Sequence, residues 1–568
     1  MPDASGAVFR ASVPCRTAHY DTATGVARLP VTDVGIGSRP DPGRLPIPHL
    51  VLPATLPEGI AMSHPNRDTS PSDALSRNSL GAPGVVFLVL AAVAPLTGIV
   101  VVAMLGVAFG NGGGMVCSFL VVTVVLLLFS VGYAQMSKQI VNAGGFYSFV
   151  LKGLGRPAAL VTGLIAMIGY NFFVAGAVGT IGFFCQSLVG ELTGIELHWF
   201  VWSLACVMGA FVLTRQGIDF SARALGIALV LEVSILVVFD IAVFVRHGFS
   251  FAAFDPSIAF GGSMGVGLLF AATVFVGVEA TGLFSEEARD PHRTIPRATF
   301  AAVGFIGVFA AVTTWAIVSA VGAANAGSVA LEHAATGDLV FALSQQYLGT
   351  ALTDVMMVLL LMSLFAALMA LHNSATRYIY SLSRAQILPK ALSSTRRNGV
   401  PQRASVAQFA FAVGVAGSFA VLGLDPLATL VPSMTGFGTL GILVLQALAA
   451  LAVVVHFRRA HDHRLWRTFV APLLGLIGLT VIVALAITNF TTLAGSDAPL
   501  VALLPWLLMV AIAGGLGLAA FLRRHRPQIY NGLNTDLERF GLGDDRTHVS
   551  GAVRQGDNAH PEGVAGAS

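Results

Sequence analysis

Between Gly84 and Leu522 the chain is a succession of apolar runs separated by short polar turns. Most of these runs are close to the ~20 residues that an α-helix needs to cross a bilayer. This constrains the fold more than any other feature. In lipid every backbone N–H and C=O must be paired within the protein, so a lipid-exposed run must be a helix or part of a closed barrel. Continuous apolar runs of this length, without alternation, select the helix. About twelve spans are predicted: 84–108, 113–136, 158–190, 199–214, 223–245, 263–285, 298–322, 339–382, 404–423, 427–457, 469–489 and 500–522. The eighth is too long for one crossing, and its start, through Gln345 and Gln346, is expected to be an external interfacial helix. The fourth is short. Composition agrees: 55% of residues are hydrophobic and only 11% charged, against about 25% charged in ordinary chains. The predicted class is an all-α integral membrane protein with the lipid bilayer as its solvent.

Charge placement orients the spans. With the N-terminus in the cytoplasm, alternate turns hold nearly all the cations, among them Lys138, Lys152 and Arg156, then Arg215 and Arg223, then Arg289, Arg293 and Arg297. Arg384, Lys390, Arg396, Arg397 and Arg403 follow, then Arg458, Arg459, Arg464 and Arg467, then Arg523, Arg524 and Arg526. The opposite turns hold only Arg246. This positive-inside bias predicts cytoplasmic termini. Residues 1–76 are polar, Pro-rich and without helical period, so a disordered tail is expected. No signal-peptide pattern precedes the spans, and Met62 is an alternative start. The expected domains are a transporter core over 77–457, two appended helices over 458–526 and a cytoplasmic tail over 527–568.

Several classes of function are excluded by what the residues lack. The net charge of +3 argues for no nucleic-acid partner. Cys15, Cys117, Cys185 and Cys206 are scattered without metal-ligand spacing, and the last three read as small apolar residues inside spans. No Walker A, G-x-S-x-G or H-E-x-x-H pattern occurs. No enzyme, cofactor or metal is therefore expected. Gly110–Gly114 reads as a tight external turn rather than a phosphate loop, and His461, Asp462 and His463 as a solvated cytoplasmic loop.

Two spans carry breaks. In the first, Pro95 lacks an N–H and clashes with the preceding turn, and Gly98 follows Leu96 and Thr97. If the helix unwinds here, its freed N–H groups and the positive end of the second half-helix can hold a carboxylate. A simple proline kink is the alternative. In the sixth, Gly277 and Gly282 flank Glu279. A carboxyl at this depth costs roughly 2.5–3.5 kcal/mol on insertion scales, and such residues pair, neutralise or line solute paths. Unwound carbonyls near Phe275, Val276 and Gly277 could accept an ammonium group. Glu279 is a candidate proton carrier, with a protonated acid bonded to a neighbouring helix as the alternative. Glu232 and Asp240 lie about two turns apart in the fifth span and share a face. Glu232 is retained as a candidate, while Asp240 is expected to meet headgroups or an external loop. Asn171, beside Tyr170, and His372 with Asn373 are read chiefly as interhelical hydrogen-bonding groups, with Asn171 kept as a candidate substrate contact. The two breaks lie five spans apart, as in an inverted-repeat transporter with a midplane site.

Three runs in order resemble amino-acid permeases of the amino acid–polyamine–organocation superfamily, over roughly residues 80–460. They are AGGFYSFVLKGLG (143–155), FVGVEATGLFSEEARDPHRTIPRA (275–298) and TRYIYSLSRAQILPKAL (376–392). The resemblance implies a five-plus-five inverted repeat with broken first and sixth helices, two appended helices and alternating access. It implies a proton-sensing role for the G-V-E glutamate, which falls on Glu279. Thr273 stands where some relatives place an aromatic gate, and Glu232 falls near a fifth-helix lysine of some proton-coupled relatives. Gln135, Asn142 and Ala385-Gln386 also depart from the usual pattern.

The sequence is therefore read as a plasma-membrane, bacterial secondary transporter for an amino acid or related amine, by proton-coupled uptake. The substrate carboxylate would sit on backbone N–H groups around Leu96–Gly98, including Thr97, with Pro95 beside them in the substrate site. Phe275, Val276 and Gly277 would meet the ammonium, and Thr97, Thr273, Phe275 and Val276 would shape the pocket. Glu279 and Glu232 would couple protons. An exchanger, a polyamine carrier, a channel and a transporter-like sensor are the alternatives. Substrate identity and oligomeric state are not read from the sequence.

Overall fold

The computed structural model describes residues 82–140, 145–215, 218–284, 288–396, 400–493 and 499–533. The predicted disordered tail, the alternative start at Met62, Asn142 and most of 527–568 lie outside them. The described residues are overwhelmingly helical, and nine of their helical stretches are long and apolar enough to cross a membrane. Trp199–Thr214 and Met264–Val274 are shorter apolar helices.

In chain order the elements used below are α1 (Ala82–Val93), the half-helix 95–111, α2 (Met115–Ser137), α3 (Phe146–Leu154), α4 (Arg156–Phe184) and α5 (Trp199–Thr214). They continue with α6 (Ile218–His247), α7 (Met264–Val274), α8 (Pro291–Val321), α9 (Leu339–Leu348) and α10 (Thr350–Arg384). The last are α11 (Gln402–Val421), α12 (Val431–Arg459), α13 (Ala471–Thr488) and α14 (Trp506–His525).

The stretch Pro95–Ser137 runs to 43 residues, about 65 Å if straight and twice the ~30 Å hydrocarbon thickness. It is not straight. Gly110 (φ −98°, ψ −118°) and Gly112 (φ 56°, ψ −127°) leave helical geometry and end the first span where the glycine-rich turn was expected. Only glycine takes the Gly112 conformation readily. The long eighth run also divides: Gly349 (φ 83°) separates α9 from α10.

Burial follows lipid rather than water. Exposed helix faces carry Val212, Val230, Val245, Ile477 and Val510, whereas Ser118, Ser203, Thr313, Ser363, His372 and Gln408 point inward. An apolar outer face costs nothing against acyl chains, and inward hydroxyls find partners on neighbouring helices. Small residues permit close approach. A Cβ on Gly438 would lie 2.8 Å from the Gly169 carbonyl oxygen, so α4 and α12 meet nearly backbone to backbone. Around α4 are packed α5, α10, α11, α12 and α14. On the other side α1 packs against α6, α8 and α10, while α2 packs against α7, α8 and α13.

Residues 527–532 form a short helix whose Tyr530 ring lies 5.1 Å beneath the Arg156 guanidinium. Arg156 Nη1 also donates to Asn531 Oδ1 at 3.0 Å, so the first residues after α14 fold back onto the start of α4.

Candidate functional site: two helix breaks around one cavity

The first break is at Ala94, which adopts left-handed geometry (φ 49°, ψ 77°) immediately before Pro95. A non-glycine residue in this region is strained and persists only where its surroundings hold it. The interruption frees the N–H groups that follow, and the structure shows where each goes. Pro95 has none. The Leu96 N–H donates to Glu232 Oε2 at 3.3 Å. The Thr97 N–H donates to Ser363 Oγ at 3.3 Å, and the Gly98 N–H returns to the Ala94 carbonyl at 2.8 Å. Thr97 Oγ1 donates to Ser363 Oγ (3.0 Å), whose own proton goes to Glu232 Oε2 (2.7 Å). Glu232 on α6 and Ser363 on α10 thus jointly cap the half-helix, with Glu232 only 1% exposed. A carboxylate at a helix N-terminus is favoured by the dipole as well as by the direct bond.

The second break follows α7. The N–H groups of Phe275, Val276 and Val278 turn back to the carbonyls of Ala272, Thr273 and Phe275 at 3.0–3.1 Å. Gly277 takes φ 111°, a conformation closed to ordinary side chains. Its N–H is captured by the Glu279 carboxyl two residues on, at 3.1 Å to each oxygen. The Tyr170 hydroxyl on α4 donates to Glu279 Oε1 at 2.5 Å. The Tyr170 ring packs, tilted by 30°, against Tyr378 of α10 with centroids 5.1 Å apart, so two helices position the acid. Glu279 is thus bonded to a neighbouring helix through Tyr170. Beside it Thr281 links Tyr133 (3.0 Å) and Thr299 (3.0 Å).

The breaks share a cavity. Thr97 and Gly98 line one side, Thr273, Val274 and Val276 the other. Phe173, Ala177 and Thr180 of α4, Leu364, Ala367 and Leu371 of α10, and Thr435 of α12 close it. Of the residues singled out from sequence, the structure brings Thr97, Gly98, Thr273 and Val276 to this wall. Pro95, Leu96, Phe275 and Gly277 shape the breaks behind it. Asn171 is not on the wall; its Nδ2 donates to the Met167 carbonyl of its own helix at 2.7 Å. His372 bridges α10 to α11, contacting Gln408 Oε1 and lying 2.8 Å from Ser405 Oγ, as expected of an interhelical group.

Asp240 departs from its expected place. It is buried rather than at headgroups or a loop, accepting from Thr313 on α8 at 2.8 Å. α8 covers the face of α6 that carries it, which the sequence of α6 alone cannot show. The wall residues of α4 and α10 also escaped the sequence reading, although their i, i+3 or i+4 and i+7 spacing marks a single face in each helix. At the loop holding Asp462, the charge pair is with Arg464, at 2.6 Å. Among the described residues no His, Cys, Asp and Glu cluster could hold a metal ion.

A helical membrane protein whose two interrupted helices face one buried cavity has the form of a solute carrier. The amino acid permease family matches residues 80–517, and the chain belongs to that family. It is therefore a multi-pass membrane permease, a transporter rather than an enzyme. Its relatives are bacterial. It is 27% identical to a branched-chain amino acid permease of Lactococcus lactis subsp. cremoris, covering 59% of this chain and 75% of that one. It is 27% identical to a methylthioribose transporter of Bacillus subtilis (64% and 78% covered). An uncharacterized transporter of Mycobacterium tuberculosis is 24% identical, with 69% and 83% covered.

Proposed function

We propose that the chain is a secondary active transporter that takes up an amino acid or related amine across a bacterial plasma membrane, coupled to protons. The single observation that carries this reading is the meeting of the two breaks at one cavity, each break bonded to a buried glutamate. Thr97, Gly98, Thr273 and Val276 contact the solute, and the mostly apolar wall favours a neutral side chain. This is in keeping with the branched-chain cargo named for one relative. Glu279 carries the proton, with Glu232 as the second acid. Each bonds the N–H of one break, so loss or gain of a proton changes the grip on the segment that must move. The cycle is alternating access around this cavity. The repeat is five plus five, twelve spans in all with α13 and α14 appended, and both termini are cytoplasmic, as the arginine distribution supports.

The test is uptake of labelled amino acids and amines into proteoliposomes, with and without an inward proton gradient, in sodium-free buffer. Gradient-driven accumulation is expected. Uptake only into vesicles preloaded with unlabelled solute would replace symport by exchange. Conductance without saturation would replace the carrier by a channel.

A further inference from the structure

The polar groups around the cavity have a common bias. Its wall carries no charged side chain, and its four hydroxyls belong to Thr97, Thr180, Thr273 and Thr435. Each gives its proton elsewhere. Thr180 donates to the Gly176 carbonyl (3.0 Å), Thr273 to that of Leu269 (2.8 Å) and Thr435 to that of Val431 (2.6 Å). Thr97 donates to Ser363 at 3.0 Å. The oxygens therefore offer lone pairs to the cavity, and acceptors recognise donors. The backbone donors are committed as well. Over residues 95–98 the N–H groups are held by Glu232, Ser363 and the Ala94 carbonyl, and the Gly277 N–H is held by Glu279.

We propose that the cargo carries no carboxylate, being a small organic amine with an apolar chain, and that Glu232 excludes α-amino acids. The proposal rests on the permease reading and narrows it. An amino-acid carboxylate entering here would need an arginine, a lysine or free N–H groups. Among the described residues the cavity wall supplies no such cation, and the break has given its donors to Glu232 (Leu96 N–H), Ser363 (Thr97 N–H) and the Ala94 carbonyl (Gly98 N–H). Displacing Glu232 would leave a second carboxylate in apolar surroundings, without an ion-pair partner among the described residues. An ammonium group needs none of this. It meets acceptor hydroxyls, and the Glu232 carboxylate lies one hydroxyl beyond Thr97, through Ser363. Methyl-bearing walls from Val276, Leu364 and Leu371 take the chain.

The experiment is isothermal titration of the full chain in detergent with three solutes of one skeleton: leucine, leucinamide and 3-methylbutylamine. The two amines without a carboxylate are expected to bind at least about tenfold more tightly than leucine, which corresponds to about 1.4 kcal/mol of differential binding. Glu232→Gln is expected to narrow that gap by weakening the amines. Should it fail to fold, Thr435→Val, which removes one acceptor from the wall, is expected to weaken the amines more than leucine. Leucine binding as tightly as 3-methylbutylamine to the natural sequence overturns the proposal and leaves the permease reading standing. Absence of binding by all three, with the protein folded, also overturns the proposal, and the permease reading is then judged separately by the uptake panel.

Discussion

Tyr170→Phe isolates the bond that holds the acid at the second break. The hydroxyl lies 2.5 Å from Glu279 Oε1, with Tyr170 fully buried and Glu279 5% exposed, so bulk water does not replace it. Phenylalanine keeps the ring contact with Tyr378 and leaves Gly277 N–H on the carboxyl. A hydrogen bond to an ionised group contributes about 1.5–3 kcal/mol, and one between neutral groups about 0.5–1.5. The substitution should therefore lower the unfolding free energy by about 1.5–3 kcal/mol where Glu279 is ionised. That is about a 10- to 150-fold change in the folded-to-unfolded ratio. The loss should shrink to the lower range where Glu279 holds its proton. Equilibrium unfolding in mixed dodecyl sulfate and maltoside micelles, followed by tryptophan fluorescence across a pH series, measures it. Thr480→Val is the control, because its exposed hydroxyl bonds only to its own helix at Leu476. It should change stability by less than about 0.5 kcal/mol. A Tyr170→Phe protein within about 0.5 kcal/mol of the natural one at every pH would refute the reasoning, since the bond would then contribute nothing to the folded state.

Glu279→Gln keeps an acceptor for Tyr170, so solute binding should survive while the pH dependence of uptake flattens; an unchanged pH profile would remove Glu279 from the coupling. Gly277→Ala forces a side chain into φ 111°, a strain of about 1–3 kcal/mol, and should lower the melting temperature and cavity binding together. At Asp462, hydrogen bonding to the Arg464 side chain lowers the carboxyl pKa from 3.8 to about 2. A depressed folded-state value stabilises above the unfolded value and is lost as pH falls through the folded one. The melting difference between the natural protein and Asp462→Asn should accordingly be nearly full above pH ~4, mostly lost by pH ~2 and gone below it. A difference that persists at the acid end would count against the pair. The Cys185 and Cys206 sulfurs lie 3.8 Å apart on neighbouring turns of different segments. Copper phenanthroline should oxidise them to an intramolecular disulfide, read by intact mass and abolished in Cys206→Ser; two free thiols after treatment would show that the pair does not approach.

Sequence alone established that this is a helical membrane protein, where its helices break, and that Glu232 and Glu279 lie within apolar runs. These are local properties. Run length fixes the spans, Pro95 and Gly277 fix the interruptions through their own dihedral limits, and a carboxyl in an apolar run stands out wherever it lies. The tertiary structure decided which groups meet. Leu96 and Glu232 are joined across 136 residues, and Tyr170 and Glu279 across 109. The sequence placed Asp240 at the surface, while α8 buries it against Thr313. Which groups the N–H donors of the first break meet, Glu232 and Ser363, was likewise set by the fold. The physical reason is the solvent. In water an amphipathic stripe announces the inward face of a helix, but here lipid and protein interior are both apolar. Rotation of each helix about its axis, and so the choice of lining residue and bonding partner, is set by packing against neighbours far away in the chain.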